Sequence, residues 1–174
     1  MLAKYAFAAN RLMNRIVNDT VQQSNANFTQ RDNIFEVGYA IPSFEGKSAD
    51  GKKISFADYK GKIVVINFWF VYCTPCLAEM PVLNAVKKMA NADEVAFLSI
   101  TYDSAELVNN LHKLRPFDFD KIVEAKALVE QFKITGYPRT IVVDKNGIVQ
   151  YIFRGGIHKA TDLQDAILRV QKNQ

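Results

Sequence analysis

Two cysteines three positions apart are the side chains of this chain with the clearest chemistry. Cys73 and Cys76 enclose Thr74 and Pro75, and the 174-residue sequence contains no other cysteine. In thiol–disulfide exchange, a thiolate attacks a disulfide sulfur and forms a mixed disulfide. A second thiol three residues away can resolve that mixed disulfide, so the motif indicates a redox-active pair.

The flanking sequence predicts where this pair lies. Residues 63–70 are apolar apart from Asn67 and rich in β-branched and aromatic side chains, which predicts a strand buried on both faces. After the cysteines, apolar residues recur at helical spacing, and Pro75 suits a first helical turn. There the helix N-terminus favours an anion and lowers a thiol pKa from about 8.5 to about 3.5–7.5. We therefore predict that Cys73 is the attacking thiolate and that Cys76, one turn deeper, is less reactive.

The residues alone leave two other interpretations of the cysteines open. Both could be buried core residues, or they could supply half of a zinc site. A structural zinc site needs about four ligands, and beyond the cysteines only His112, His158 and scattered carboxylates are available. We interpret His112 as a surface residue at a helix end, which favours the redox interpretation.

The composition indicates one globular domain with an extension. Of the residues, 49% are hydrophobic, and 22 basic side chains against 18 acidic ones give a formal charge of +4. The basic residues are spread along the chain, so we expect solvated surface and no nucleic-acid site. No apolar run reaches the length of a membrane span. Asn10, Arg11 and Asn14 interrupt any secretory signal, although Met1 could replace a removed signal or anchor.

Residues 1–34 are predicted to form an N-terminal extension made of an amphipathic helix and a linker. Apolar side chains between Leu2 and Val21 fall on or near one helical face, and residues 24–33 are polar and aperiodic. The helix could lie on a membrane or on a partner, but we favour packing on the chain's own domain. That domain is predicted to span residues 35–174.

Within the domain, strands alternate with helices and a hairpin follows, which predicts an α/β fold with mixed strand direction. Asn146-Gly147 between two alternating apolar runs is the strongest hairpin signal. The predicted strands are 38–44, 52–56, 63–70, 95–101, a short one within 116–122, 139–144 and 148–153. The predicted helices are 57–60, 74–91 with a kink at Pro81, 104–114 with Leu114 or His112 inward, 125–132, and 159–170 with Thr161 or Asp162 as its cap.

Several motifs resemble the thioredoxin superfamily, most closely its TlpA/ResA-like thiol-disulfide oxidoreductases, which are related to the AhpC/TSA family. The motifs are Val37-Gly38, Pro42-Ser43-Phe44, Asp50-Gly51-Lys52, Lys60-Gly61-Lys62, Asn67-Phe68-Trp69, Cys73-Thr74-Pro75-Cys76, Glu79-Met80-Pro81, Gly136-Tyr137-Pro138 and Asp144-Lys145-Asn146-Gly147. The resemblance covers residues 35–174. It implies a thioredoxin-like three-layer fold with a central mixed β-sheet, an N-terminal hairpin extension and a helical insert around 103–122.

The resemblance also implies the activity and its setting. Such proteins reduce disulfides in protein substrates, including apocytochromes awaiting haem and other envelope proteins, with the redox-active Cys73–Cys76 disulfide and no further cofactor or metal. The implied partners are a protein disulfide substrate and an upstream thiol donor protein, for which a membrane-embedded protein is one candidate. We expect a monomer in an extracytoplasmic location, periplasmic or membrane-anchored, with the cytoplasm as the alternative.

Individual roles follow from the same resemblance. Cys73 and Cys76 match the family's nucleophile and resolving thiol, and Pro138 matches its cis-proline. The residue before a cis-proline can pair its backbone with an incoming extended peptide. The implied substrate-binding residues are Trp69, Thr74, Pro75, Tyr137 and Pro138.

Glu79 is the third catalytic candidate. Reductases of cytochrome maturation carry a buried glutamate three residues after the second cysteine, whereas thioredoxins themselves carry a strand aspartate where this chain has Asn67. Burial would raise the pKa of the Glu79 carboxyl, which could then accept and return the proton of Cys76. The alternative is that Glu79 points to solvent.

Two other functions on related folds have sequence patterns of their own. A peroxiredoxin-like peroxide reductase sets a threonine three residues before its reactive cysteine, where this chain has Phe70, and a proline further upstream. A copper-binding module favours a wider CxxxC with a distant histidine, and only His158 lies late enough in the sequence for that role. Neither pattern is present.

Overall fold

The structure is a computed structural model that describes residues 36–173. The predicted amphipathic helix over residues 2–21 and the linker over 24–33 lie outside the described residues. The boundary between extension and domain near residue 35 therefore stays a prediction.

Short strands and helices alternate along the described chain, largely where the sequence predicts them. The strands are β1 Glu45–Lys47, β2 Lys53–Ser55, β3 Ile63–Phe68, β4 Val95–Ile100, β5 Asp120–Ile122, β6 Arg139–Val143 and β7 Val149–Arg154. The helices are a 3-10 turn Phe56–Tyr59, α1 Thr74–Met89, α2 Ala105–Leu114, α3 Lys126–Gln131 and α4 Ala160–Lys172. Pro81 lies inside α1, and the kink there stays a prediction.

The central sheet of the described residues has five strands in the order β5-β4-β3-β6-β7. Strand β3 runs parallel to β4 and antiparallel to β6, and β7 runs antiparallel to β6. The prediction of mixed strand direction is confirmed. All six residues of β3 are buried, as expected for a strand with neighbours on both edges and helices on both faces.

Successive side chains of β3 point to opposite faces of the sheet, and each face has its own core. Ile63 and Val65 pack with buried residues of α1 and α4, whereas Val64 and Ile66 pack with α3. The result is the predicted three-layer arrangement. The alternation also sends Asn67 toward the face that α1 covers.

The hairpin lies later in the chain than predicted. Residues 38–44 form no strand, which corrects that prediction, and Ala40 makes an isolated bridge to Ile148 instead. Pro42, which has no N–H, cannot donate to a ladder. The hairpin is made by β1 and β2 and packs on β5, where a Cβ at Gly46 would lie 2.2 Å from Ile122 Cγ2.

Two details of the helices also differ from the sequence prediction. Helix α4 follows Lys159 without a side-chain cap, and Thr161 and Asp162 lie inside its first turn, so neither caps it. In α2 only Val108 is buried, and Leu114 is 82% exposed because the helix ends there, before Pro116. The Asn146-Gly147 hairpin is confirmed, with Gly147 at φ 81°, where glycine is favoured.

Candidate active site

The backbone between β3 and α1 places Cys73 at a helix N-terminus, as predicted. Trp69 N–H continues the ladder by donating to the Ile100 carbonyl at 3.2 Å, and Cys73 N–H then closes a turn onto the Phe70 carbonyl at 3.1 Å. Helix α1 begins at the next residue, with Cys73 as its N-cap. Pro75 stands in the first turn, where its missing N–H removes no helical hydrogen bond.

Cys73 and Cys76 are joined by a disulfide, with their Cα atoms 5.2 Å apart. Cys76 N–H donates to Cys73 Sγ at 3.2 Å, so a free helix N–H already points at this sulfur. Cys73 is 4% exposed and Cys76 1%, while Thr74 and Pro75 between them are exposed. Both cysteines are thus largely covered in the oxidised state, and Cys73 is the slightly more accessible of the two.

Glu79 lies one helical turn after Cys76 and is 1% exposed, which contradicts the solvent-facing alternative. Its two oxygens have separate donors. Asn67 Nδ2 donates to Oε1 at 2.8 Å, and Ile157 N–H donates to Oε2 at 2.8 Å. Burial raises the pKa of Glu79 to about 7, although both hydrogen bonds favour the charged form and act in the opposite direction.

Asn67 extends this buried network across the sheet. Its Nδ2 also donates to Thr140 Oγ1 at 2.9 Å, and the two residues are cross-strand neighbours in the β3–β6 pair. A polar side chain in a fully buried strand requires partners, and Asn67 is the one polar residue of its apolar run. That signal was visible in the sequence, whereas Thr140 and the Ile157 amide become partners only through the fold.

Tyr137 and Pro138 are at the same end of the sheet as the cysteines, because Arg139, which begins β6, pairs with Phe68 at the end of β3. The Tyr137–Pro138 peptide bond is cis, as the resemblance implied. Pro138 is buried and Tyr137 half-buried. Tyr137 packs against the core cluster that includes both cysteines.

An aromatic cluster of Phe70, Tyr102 and Tyr137 lies beside this site. The ring centroids of Phe70 are 5.7 Å from Tyr102 and 5.2 Å from Tyr137, and those of the two tyrosines are 6.1 Å apart. Burial, Tyr102 and Asp103 raise the pKa of Tyr137 to about 12. Sequence reasoning missed Phe70 and Tyr102, because their contact joins loops from three different strand ends.

Trp69 is a buried member of the same core cluster as the two cysteines. Its side chain is 1% exposed and packs edge-on against Phe117, with ring centroids 5.8 Å apart. Since residue 69 continues the inward-pointing positions of β3, the tryptophan is a core residue in this structure and not part of an exposed substrate surface. The substrate-binding role that the resemblance implies for Trp69 stays a prediction. Tyr72, 78% exposed, is the large side chain presented next to Cys73.

The loop after β7 also reaches the first turn of α1. A Cβ at Gly156 would lie 3.2 Å from His158 Cε1 and 3.7 Å from the Pro75 carbonyl oxygen. Within residues 36–173, however, no three His, Cys, Asp or Glu side chains come together in a way that could hold a metal ion. His112 is a surface residue at a helix end, as predicted.

Comparisons with known proteins agree with this geometry. The AhpC/TSA family profile matches residues 37–152. The thioredoxin-like protein YneN of Bacillus subtilis is 30% identical over 138 residues, 76% of this chain and 79% of that protein. Thiol-disulfide oxidoreductase ResA of Bacillus cereus is 27% identical over 154 residues, 84% of this chain and 89% of that protein.

A solved structure matches the fold as well. The pneumococcal exposed lipoprotein thioredoxin of Streptococcus pneumoniae superimposes with a TM-score of 0.62 at 28% identity, covering 76% of this chain and 100% of that one. The predicted thioredoxin-like fold is therefore confirmed.

Proposed function

The chain belongs to the AhpC/TSA family and is a thioredoxin-like thiol-disulfide oxidoreductase, and from this premise we propose that it reduces disulfides in protein substrates. The observation that carries the proposal is the position of Cys73, which caps α1 and is bonded to Cys76 one turn before buried Glu79. We further propose that this disulfide is the redox group and that no other cofactor takes part.

In the proposed reaction the reduced pair delivers two electrons to a substrate disulfide. The Cys73 thiolate attacks one substrate sulfur and forms a mixed disulfide, while the other substrate sulfur leaves as a thiolate and takes a proton from water. The Cys76 thiolate then attacks Cys73 Sγ. This step forms the Cys73–Cys76 disulfide and releases the second substrate thiolate, so the protein is oxidised and the substrate reduced.

Glu79 is the proposed proton acceptor for Cys76. An efficient general base has a pKa near the working pH, and burial brings the pKa of this carboxyl to about 7. The spacing of three residues on α1 puts the two side chains on neighbouring positions of one helix face. The carboxylate takes the proton when Cys76 attacks and returns it when the disulfide is opened again.

The substrate segment is proposed to lie over the exposed first turn of α1. Thr74 and Pro75 are exposed there, and half-buried Tyr137 faces the same end of the sheet. The Tyr137 backbone would pair with an extended substrate chain, and its ring, together with Phe70 and Tyr102, would contact apolar substrate side chains.

Re-reduction of the pair requires an upstream thiol donor. We propose that this donor is a protein, and that it is embedded in the membrane. An extracytoplasmic location is supported by the name of the pneumococcal relative, an exposed lipoprotein thioredoxin. Within the described residues no helix is long and apolar enough to cross a membrane. As specific substrates we propose apocytochromes awaiting haem. We also propose that the chain acts as a monomer.

Trapping tests the assignment of the two cysteines. The reduced Cys76→Ser variant should accumulate a mixed disulfide with a disulfide-containing substrate protein, because no second thiol resolves it. The matched Cys73→Ser variant should remain unlinked. Mass spectrometry of the reduced wild-type protein after brief alkylation near neutral pH should find the label first on Cys73, and preferential labelling of Cys76 would reverse the roles.

The reduction potential of the pair tests the direction of electron flow. A value near that of thioredoxin, about −270 mV, supports a reductase, because such a dithiol gives its electrons to any disulfide of higher reduction potential. A value near about −120 mV, typical of a strong oxidant, contradicts it. The potential is read from the oxidised fraction of the pair at equilibrium in glutathione or dithiothreitol buffers.

A further inference from the structure

Asp103 is a buried acidic residue next to the active site that the reaction above does not use. It is 7% exposed and follows β4 at the same end of the sheet as Cys73. Its carboxylate oxygen Oδ2 accepts two hydrogen bonds, from Val71 N–H at 2.8 Å and from Thr101 Oγ1 at 2.7 Å. The Asp103 backbone is held too, since its N–H donates to Thr101 Oγ1 and its carbonyl accepts from Glu124 N–H.

The bond to Val71 matters because of where Val71 lies. The turn that carries Cys73 is closed by Cys73 N–H donating to Phe70 C=O, which leaves the Val71 N–H with no partner inside the turn. Asp103 supplies that partner two residues before the cysteine. One oxygen of a buried side chain on the β4–α2 connection thus ties down the segment that presents Cys73 to the N-terminus of α1.

We propose that Asp103 is a positioning residue for Cys73, which anchors the preceding turn so that the sulfur stays on the helix N-terminus. The inference rests on the proposed role of Cys73 as the attacking thiolate. The inference predicts a change in the thiol pKa of Cys73. A thiolate displaced from the free N–H groups at the helix N-terminus loses their stabilisation, so the thiol pKa rises.

The charge of Asp103 has the opposite effect and must be separated from positioning. A nearby negative charge disfavours a thiolate, and the Asp103 charge already contributes to the raised pKa of Tyr137 and of Tyr102, the titratable side chains that face it. The two effects separate because both hydrogen bonds end on the same oxygen. In Asp103→Asn the amide oxygen can accept both, so only the charge is lost, whereas Asp103→Ala loses charge and anchor together.

The experiment measures the thiol pKa of Cys73 from the pH dependence of iodoacetamide alkylation in the full chain carrying Cys76→Ser. Asp103→Asn should lower this pKa relative to the parent. Asp103→Ala should give a Cys73 pKa above that of Asp103→Asn. Its alkylation at neutral pH should be several-fold slower than that of Asp103→Asn. Thr101→Val removes the two hydrogen bonds that the Thr101 hydroxyl makes with Asp103 and keeps the carboxylate on Val71. It should raise the Cys73 pKa by less than the difference between Asp103→Ala and Asp103→Asn.

Asp144→Ala is the matched control. Asp144 also anchors a turn through one oxygen, Oδ1, which accepts from Asn146 N–H and Ile148 N–H, but at the opposite end of β6 from Arg139. It should lower stability and leave the Cys73 pKa unchanged. Equal thiol pKa values for Asp103→Asn and Asp103→Ala overturn the inference, as does a shift of the same size in Asp144→Ala. First labelling of Cys76 in the reduced wild-type protein contradicts instead the proposed role of Cys73 as the attacking thiolate, on which the inference rests.

Discussion

Asn67 on the central strand donates a hydrogen bond to Glu79 on the active-site helix, with 2.8 Å between Nδ2 and Oε1. Both side chains are 1% exposed. The strand position that holds an aspartate in thioredoxins thus holds an amide in this chain. The ionisable group is instead Glu79 on the helix, one turn after Cys76. A carboxyl in this place keeps its proton to about pH 7 because burial outweighs its two hydrogen bonds.

The first prediction concerns exchange kinetics. Glu79→Gln should keep the fold and slow thiol–disulfide exchange at pH 7 by roughly 100-fold, the lower end of what general acid–base catalysis contributes. The wild-type rate should change with pH around 7, and the variant should lose that inflection because an amide does not titrate. Stopped-flow mixing of the reduced protein with a disulfide substrate between pH 5 and pH 9 measures both.

Glu106→Gln is the control for that change, since Glu106 is an exposed residue in the first turn of α2. Its rate and pH profile should match the wild type. Iodoacetamide should still label Cys73 in Glu79→Gln, because the helix N-terminus activates that thiol independently of the carboxyl. Unchanged exchange kinetics in Glu79→Gln would remove the proton-transfer role and leave only the cysteines as reacting groups.

The second prediction is a loss of stability as pH rises through the range set by Glu79. The native pKa is raised from its ordinary value of 4.5 to about 7, so between these values the unfolded chain has released this proton and the native chain still holds it. The free energy of unfolding therefore falls with rising pH. The difference is largest in favour of the native state below pH 4.5 and is lost by the time the pH passes about 7.

One pKa unit corresponds to about 1.4 kcal/mol, so Glu79 alone should lower the free energy of unfolding by about 3 kcal/mol across this window. Urea unfolding of the oxidised protein at intervals from pH 4 to pH 8 measures it. Glu79→Gln should remove this fall in the free energy of unfolding between pH 4.5 and about 7, and Glu106→Gln should retain it. An equally steep fall in Glu79→Gln would assign the pH dependence to other groups.

The third prediction concerns the hairpin that packs on the sheet edge. Gly46→Ala should destabilise the protein by about 1–3 kcal/mol, because the new Cβ would lie 2.2 Å from Ile122 Cγ2 and the edge strand must shift. Gly136→Ala is the matched control, since its Cβ would meet only Arg139 Nη2 at 3.6 Å. Thermal unfolding compares them, and equal melting temperatures would mean that the hairpin is not held tightly on β5.

The sequence predicts those features that depend on local pattern. The apolar run of β3, the proline in the first turn of α1 and the Asn146-Gly147 turn each have a local physical cause, and the structure has each of them. The strand predicted over 38–44 failed because Pro42 has no N–H to donate, and the pairing is limited to the isolated bridge between Ala40 and Ile148. The complete burial of Trp69 was not predicted, because the burial of a residue just beyond a strand depends on which loops cover it.

The candidate site divides in the same way. Cys73 and Cys76 follow from spacing alone, whereas the environment of Glu79 depends on three distant segments. Thr140 and the Ile157 amide are 73 and 78 residues away from the side chains they bind. Asp103 reaches Val71 across 32 residues. No local rule pairs such groups, and only the order of the strands brings them to one end of the sheet.

The last prediction returns to Asn67. Asn67→Val places a β-branched, strand-compatible side chain on β3 but removes the donor to Glu79 Oε1 and to Thr140 Oγ1. The hydrogen bond from Asn67 favours the charged carboxyl and so lowers the pKa of Glu79. Its loss should move the pH inflection of the exchange rate upward from the wild-type value. It should also cost about 1–3 kcal/mol of stability, because two buried acceptors lose a partner.

Ser99→Ala separates the kinetic effect from the loss of stability. Ser99 is another buried polar residue, on neighbouring β4, and its hydroxyl donates to the Asp120 carbonyl at 3.2 Å instead of to Glu79. This variant should unfold at lower urea concentration while keeping the wild-type pH inflection. Because Asn67→Val changes the proton affinity of one carboxyl, the two variants should differ in the pH profile even where their stabilities agree. If their profiles coincide, Asn67 supports the fold but does not tune Glu79.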